Sequence, residues 1–430
     1  MLASGRDQPE DGVPGHEPAA PAIGRRESRL VRAGFIPLLD VAVLVAAREG
    51  GFAAREGLDL ALMRDVSWAN IRDRLAFHQF DVAHMLAPMT VAAQVGLGSN
   101  PSPTITPFSL GRGGNAVTLS QTLYEAMEAA AGLADEADAL AAAKALKAVV
   151  EARRARGARP LVFGMTYPFS SHNYELRYWM AAGGVDPDRD VTMTVVPPPL
   201  TADAMTAGAI DGFCVNAPWN MMAVARGIGR VVAVKADIWP DAPEKVLGMR
   251  ADWAEANRDT LARLLVALDA AAAWCDRPDN RPELAGMMTE GGHVDAPRAL
   301  AAALLAGEFQ VAPSGRRRII PDYLTFHRGG ATLPRIEEAL WSFSQMVRWG
   351  QAALTEANIV RARSAYRADL YHAALPGRDP AGPPGAPFID GRAFTPGALG
   401  AYVDGFEIAR RAARATSAQL AEISSGDRAD

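Results

Sequence analysis

Cysteine is scarce. Cys214 and Cys275 stand alone in 430 residues, with no CxxC spacing. At most one disulfide is available, so packing, and neither a disulfide framework nor a thiolate metal cluster, must hold the fold. A basic excess is missing too: 44 Lys and Arg face 49 Asp and Glu, for a net charge of −5. That excludes a global positive field for nucleic acid. No stretch approaches the ~20 apolar residues of a membrane span. GRGGNA (111–116) lacks the GxGxxG spacing, and GxxxxGK[ST], GxSxG and HExxH do not occur, so nucleotide binding and the commonest hydrolytic sites have no support. His16, His78, His84, His172, His293, His327 and His372 are scattered. No catalytic residue, metal site or cofactor is expected.

What is present is an ordinary globular composition, 49% hydrophobic with 14 Phe, 8 Trp and 8 Tyr. This is enough apolar surface for a sizeable core, and the length exceeds what one compact core holds. Residues 1–28, rich in Pro, Gly and charge, read as a disordered leader without the apolar region of a secretory signal. Arg25-Arg26 does not make a twin-arginine signal, because VAVLVAA (41–47) is short and runs into the amphipathic AREGGFAAREGL. The chain therefore reads as cytoplasmic, or periplasmic if its start is misassigned.

Short β-like runs alternate with helical stretches, which predicts parallel sheets with crossover helices. LVRAGFI, LDLALMRD, DVAHML, TITPFSL, NAVTLS, LVFGMTYP, VTMTVV, DGFCVN and RVVAVKADIW are the strands. Asp40 and Ser67 are placed to cap the helices that follow them. Residues 120–156 read as two surface helices, and after Lys245 the chain becomes mostly helical. The predicted organisation is a leader (1–28), a first lobe (29–115 with 240–408, including a C-terminal extension), a second lobe (116–239) and a polar tail (409–430). Clefts at the carboxyl ends of strands are where α/β proteins put small ligands.

Several polar residues fall at strand ends and loop starts. Trp68 follows a capping Ser and is a core indole or a ligand wall. Asn115, after two glycines, is a turn residue or an amide donor. His172 at a helix start caps that helix or faces an anion. Pro197-Pro198-Pro199 ends a strand or walls a pocket. Lys245 is a solvated lysine or a localized cation.

In order along the chain, DVSWANIRDRL, FDVAHMLAPM, ITPFSLGRGGNAVTLS, MTYPFSSHNYELRYWMAAGGVDPDRD, VVPPPLTADAMTAGAIDGFCVNAPWN, APEKVLGMRADWA, WCDRPDNRPEL, MVRWG and FIDGRAF resemble the nitrate-binding proteins of ABC transporters and their bicarbonate-binding relatives. The resemblance covers roughly residues 30–408. It implies a two-lobed, periplasmic-binding-protein-like α/β clamp of the second type, with an enlarged helical C-terminal region. It also implies that Trp68, Asn115, His172, Pro198 and Lys245 meet a planar anion, Lys245 supplying charge and the others donors or a flat wall. Where the family commonly reads CVGEPWN, this chain has Cys214-Val215-Asn216-Ala217-Pro218-Trp219-Asn220. Asn216 therefore joins the implied ligand-binding set, adding a side chain where a glycine is usual, and Ala217 removes a carboxylate.

Within the family, the arrangement is similar to a cytoplasmic branch of nitrate/nitrite sensors. Those hold an RNA-binding antiterminator protein inactive until the anion binds, and RNA contact would belong to that partner. The alternative is a solute-binding protein that delivers nitrate to an ABC permease. An enzyme of the thiamine-precursor-synthesis type would need a His/Cys arrangement that this sequence does not show.

Overall fold

The computed structural model describes residues 28–99, 102–378 and 386–410. The expected leader, His16 and most of the tail lie outside them. Two large β-sheets divide the chain, and a two-stranded one pairs Glu308–Gln310 with Arg317–Ile319. The first runs in the order Leu324–Thr325, Ser109–Gly113, Pro243–Arg250, Val82–Leu86, Arg29–Phe35, Leu58–Arg64, with Thr104–Ile105 also paired to Pro243–Arg250. The second runs Gly229–Val234, Asn115–Ser120, Gly212–Asn216, Val162–Met165, Thr192–Val195.

Neither sheet is all-parallel, contrary to the sequence expectation. Arg29–Phe35 is parallel to both its neighbours, as is Val162–Met165. Pro243–Arg250 is antiparallel to Val82–Leu86, and Asn115–Ser120 is antiparallel to Gly212–Asn216 and Gly229–Val234. The reason is topological. These two strands enter their sheets from the other sheet rather than through a crossover helix on their own, so the rule for βαβ units does not bind them.

Passage from the first sheet to the second occurs at Gly113-Gly114, where φ is 80° and 85°. A Cβ on Gly113 would lie 2.2 Å from the Tyr323 carbonyl oxygen, and one on Gly114 would lie 2.4 Å from Asn216 Nδ2. Glycine is required at both positions by conformation and by space. Just before the passage, the buried Arg112 ion-pairs with Glu338 and donates to the Asp241 carbonyl, so it ties together both connections between the sheets.

Apolar residues with helical spacing fill the space around each sheet. Helices Ala42–Glu49 and Arg258–Cys275 pack together over the first sheet. Ser67 does cap Trp68–Ala76, its hydroxyl accepting from Asn70 N–H at 3.2 Å. Asp40 does not cap its helix; it is buried in a one-turn 3-10 segment, Leu39–Val41, with its carboxylate directed elsewhere. Cys214 and Cys275 are both buried and free. The C-terminal region spans both halves instead of extending the first alone. Helix Ile336–Arg348 packs on Ala87–Val95 of the first half, while Phe388 stacks on Tyr178 of the second at 5.1 Å and Tyr178 donates to Asp390 at 3.0 Å. Among the described residues no helix is long and apolar enough to cross a membrane.

Candidate functional site

Between the sheets lies a buried network of charged and polar side chains. The helix Ser171–Ala182 supplies three of them. Ser170 caps its first turn, and Ser171, His172 and Glu175, at spacings of three and four, share the inward face. Asn115 and Asn216 are register partners across two antiparallel strands. Asn216 Nδ2 donates to Asn115 Oδ1 at 3.0 Å and to the Gly113 carbonyl at 3.2 Å.

Glu244 and Lys245 adjoin on Pro243–Arg250, where alternation would send them to opposite faces. The pairing with Ser109–Gly113 shifts register on both sides of Lys245, and this irregularity lets both side chains turn into the same interior. Lys245 Nζ donates to Glu244 Oε1 at 2.6 Å and to Asp40 Oδ2 at 2.7 Å. Asp40 Oδ1 also lies 2.9 Å from His84 Nε2. Glu244 is the hub. Its Oε2 accepts from Asn115 Nδ2 and Ser171 Oγ, both at 2.6 Å, and from Lys235. Lys235 in turn pairs with Glu175, whose Oε2 accepts from Asn115 Nδ2 at 2.9 Å.

The electrostatics follow from burial and pairing. Burial alone would raise Glu244, but Lys235 and Lys245 hold its carboxyl well below the usual range. Asp40 behaves likewise: Lys245 and His84 outweigh its desolvation and lower it. For Glu175 the balance reverses; burial, opposed by Lys235 and reinforced by Glu244, pushes its carboxyl up to about 7. Burial pulls His172 down to about 3, so its imidazole is neutral at physiological pH.

Five of the six expected site residues meet in this network. Trp68 is 1% exposed and lies against it: its ring is 5.5 Å from the His84 ring and 5.5 Å from Lys245 Nζ. Asn115, His172, Asn216 and Lys245 are fully buried members. Pro198 is buried elsewhere, opening the 3-10 turn Pro198–Leu200 and accepting from Thr201 Oγ1 at 2.9 Å.

Lys245 is not the isolated cation that the resemblance implied, since two carboxylates already neutralise it. Asp40, His84, Glu175, Lys235 and Glu244 escaped the sequence reading. The adjacent Glu-Lys pair ahead of an apolar strand was the sole local signal. Within the network, apart from Glu175 Oε1, which is ion-paired with Lys235, the buried atoms Trp68 Nε1, His84 Nδ1, His172 Nε2 and Asn216 Oδ1 have no hydrogen-bond partner. His172 Nε2 comes within 3.4 Å of Glu244 Oε1 without bonding it. Native interiors seldom leave such atoms bare, and each marks a place where a small polar ligand would gain. No group of three His, Cys, Asp or Glu side chains among the described residues is placed to hold a metal ion.

The pattern of the NMT1-like family matches residues 24–289. The chain belongs to that family. It is 30% identical over 399 residues to the nitrate/nitrite binding protein NrtA of Synechococcus elongatus, covering 89% of this chain and 87% of the relative. It is 34% identical over 322 residues to the bicarbonate transport ATP-binding protein CmpC of the same organism, covering 74% of this chain but 45% of CmpC. The chain thus spans about half the length of the ATP-binding relatives it matches. The crystal structure of the periplasmic nitrate-binding protein NrtA from Synechocystis superposes with a TM-score of 0.79 at 26% identity, covering 89% of this chain and 99% of that one. The family member's fold is therefore the two-lobed, periplasmic-binding-protein-like α/β clamp, with the helical C-terminal region in place.

Proposed function

We propose that this family member binds a small inorganic oxyanion of the nitrate and bicarbonate class between its two sheets, as the solute-binding component of an ABC-type import system. The observation that carries the reading is the pair of buried nitrogens without a hydrogen-bond partner, Trp68 Nε1 near Lys245 and His172 Nε2 near Glu244, in a network that both sheets build. An oxyanion there would accept from the indole N–H and, with the imidazole proton on Nε2 and Thr166 Oγ1 donating to Nδ1 at 3.0 Å, from His172. The network's charged groups pair with one another, which supports binding.

Titration calorimetry with nitrate, nitrite and bicarbonate tests this reading. Binding of at least one anion is expected, weakened at least tenfold by Trp68→Phe combined with His172→Asn. Absence of heat from all three anions would overturn the assignment.

The transport relatives favour an import component over the sensor suggested by the sequence. That narrower role, in the cytoplasm with an antiterminator partner, uses the same site. Cell fractionation and affinity capture separate the two: a permease complex supports import, and an RNA-binding protein released by nitrate supports sensing.

A further inference from the structure

The network is over-supplied with acid. Asp40, Glu175 and Glu244 face only Lys235 and Lys245, and all five side chains are at most 2% exposed. His172 and His84 are buried and, with burial depressing both, add no positive charge near neutrality. A monoanion delivered here would join an interior that already carries a negative excess. In a medium this dry such an excess is costly, and the inexpensive remedy is a proton.

Building on the anion-binding reading, we propose that the anion is taken up together with one proton, held by Glu175. Geometry singles out this carboxylate. Asp40 has Lys245 and His84 for partners, and Glu244 accepts from Lys235, Lys245, Asn115 and Ser171. Glu175 shares both of its partners, the Lys235 ammonium and the Asn115 amide, with Glu244. Two carboxylates competing for one pair of donors cannot both stay charged cheaply once another negative charge arrives. The charged and titratable groups around Glu175 are Lys235 from its helical turn, Glu244 from the first sheet, the buried Cys214 thiol from the second, beside Asn115, and His172 from its own helix. None of them offers a substitute cation. The position of Glu175 near neutrality supports the assignment, because a proton is available there without a large penalty. The balance is simple: one proton from solvent forms the Glu175 O–H bond, one anion enters, and no other bond changes.

Calorimetry of the full chain with sodium nitrate or nitrite tests this, since neither anion takes a proton near neutral pH. Titrations at pH 8 in phosphate and in Tris, whose ionisation enthalpies differ, give the protons absorbed per anion. About one is expected, with affinity falling about tenfold per pH unit above pH 7. In Glu175→Gln the uptake should vanish and the pH dependence flatten. If bicarbonate is the anion bound, its own titration is common to both proteins, and the difference between them at each pH gives the answer. Binding with zero proton uptake by the wild type overturns the inference and needs no variant. Uptake that persists in Glu175→Gln overturns the assignment to Glu175. Absence of any binding instead removes the functional reading on which this rests.

Discussion

Lys245→Met keeps the aliphatic stem and deletes one of the two ammonium groups in the interlobe network. Asp40 and Glu244, at 2.7 and 2.6 Å from that ammonium, then lose a shared partner. Asp40 keeps His84 at 2.9 Å, and Glu244 keeps Lys235, Asn115 and Ser171. Breaking a buried pair from one side costs about 3–5 kcal/mol. Because both carboxylates retain other partners, the expected loss lies at the lower end, about 3 kcal/mol. Adding Asp40→Asn discharges one of the stranded groups while preserving an acceptor for His84, and should return about 1–2 kcal/mol as a coupling energy. Urea unfolding followed by circular dichroism at pH 8 measures both through the midpoint and a shared slope. The sign with pH is also fixed. Asp40 is held below its ordinary value, so its contribution is complete above about pH 4 and disappears as pH falls through the lowered folded value. The variant's deficit should therefore narrow in acid. A loss under about 1 kcal/mol at pH 8, with no coupling to Asp40→Asn, would refute the pairing argument.

Two further outcomes follow from the buried groups and the chain crossing. His172, depressed to about 3, makes stability rise by about 1.4 kcal/mol per pH unit up to its unfolded value near 6.5. Glu175, raised to about 7, makes stability fall by a similar amount per unit between about pH 4.5 and 7. The two slopes oppose each other, so His172→Asn should tilt the wild-type pH–stability profile downward with rising pH and Glu175→Gln should tilt it upward. Identical profiles for the two variants would contradict the assigned shifts. Gly113→Ala forces a Cβ to within 2.2 Å of the Tyr323 carbonyl at φ 80°; calorimetric unfolding should register a loss of at least about 2 kcal/mol, and a neutral substitution would show that the crossing is not so constrained.

Much of the scaffold was legible because apolar runs and turn residues are local signals. The strand Asp81–Leu86 predicted from DVAHML appears as Val82–Leu86, and Ser67 caps as expected. Strand direction was not legible, since it depends on which sheet the chain has just left. Trp68, Asn115, His172, Asn216 and Lys245 lie together in the interior, whereas Pro198 stays in its own turn. The missed carboxylates each have an innocuous local reading. Asp40 looks like a helix cap, Glu175 like one polar residue of an ordinary helix, and Glu244 like the outward neighbour of Lys245 until the irregular register turns both inward. Charge balance across the network is a property of the assembled interior, and no window of sequence contains it.

The aromatic contacts of the C-terminal region bear on ligand exchange. Phe388 stacks on Tyr178 at 5.1 Å and on Trp341 at 5.7 Å, while the helix carrying Trp341 rests on the other half of the molecule. Two halves joined by connections alone can swing freely and must surrender that freedom when a ligand draws them together. Here the C-terminal region contacts both halves, so part of that entropy is already lost on folding. On the proposed reading, an anion with few contacts would then be held more firmly than those contacts alone would allow.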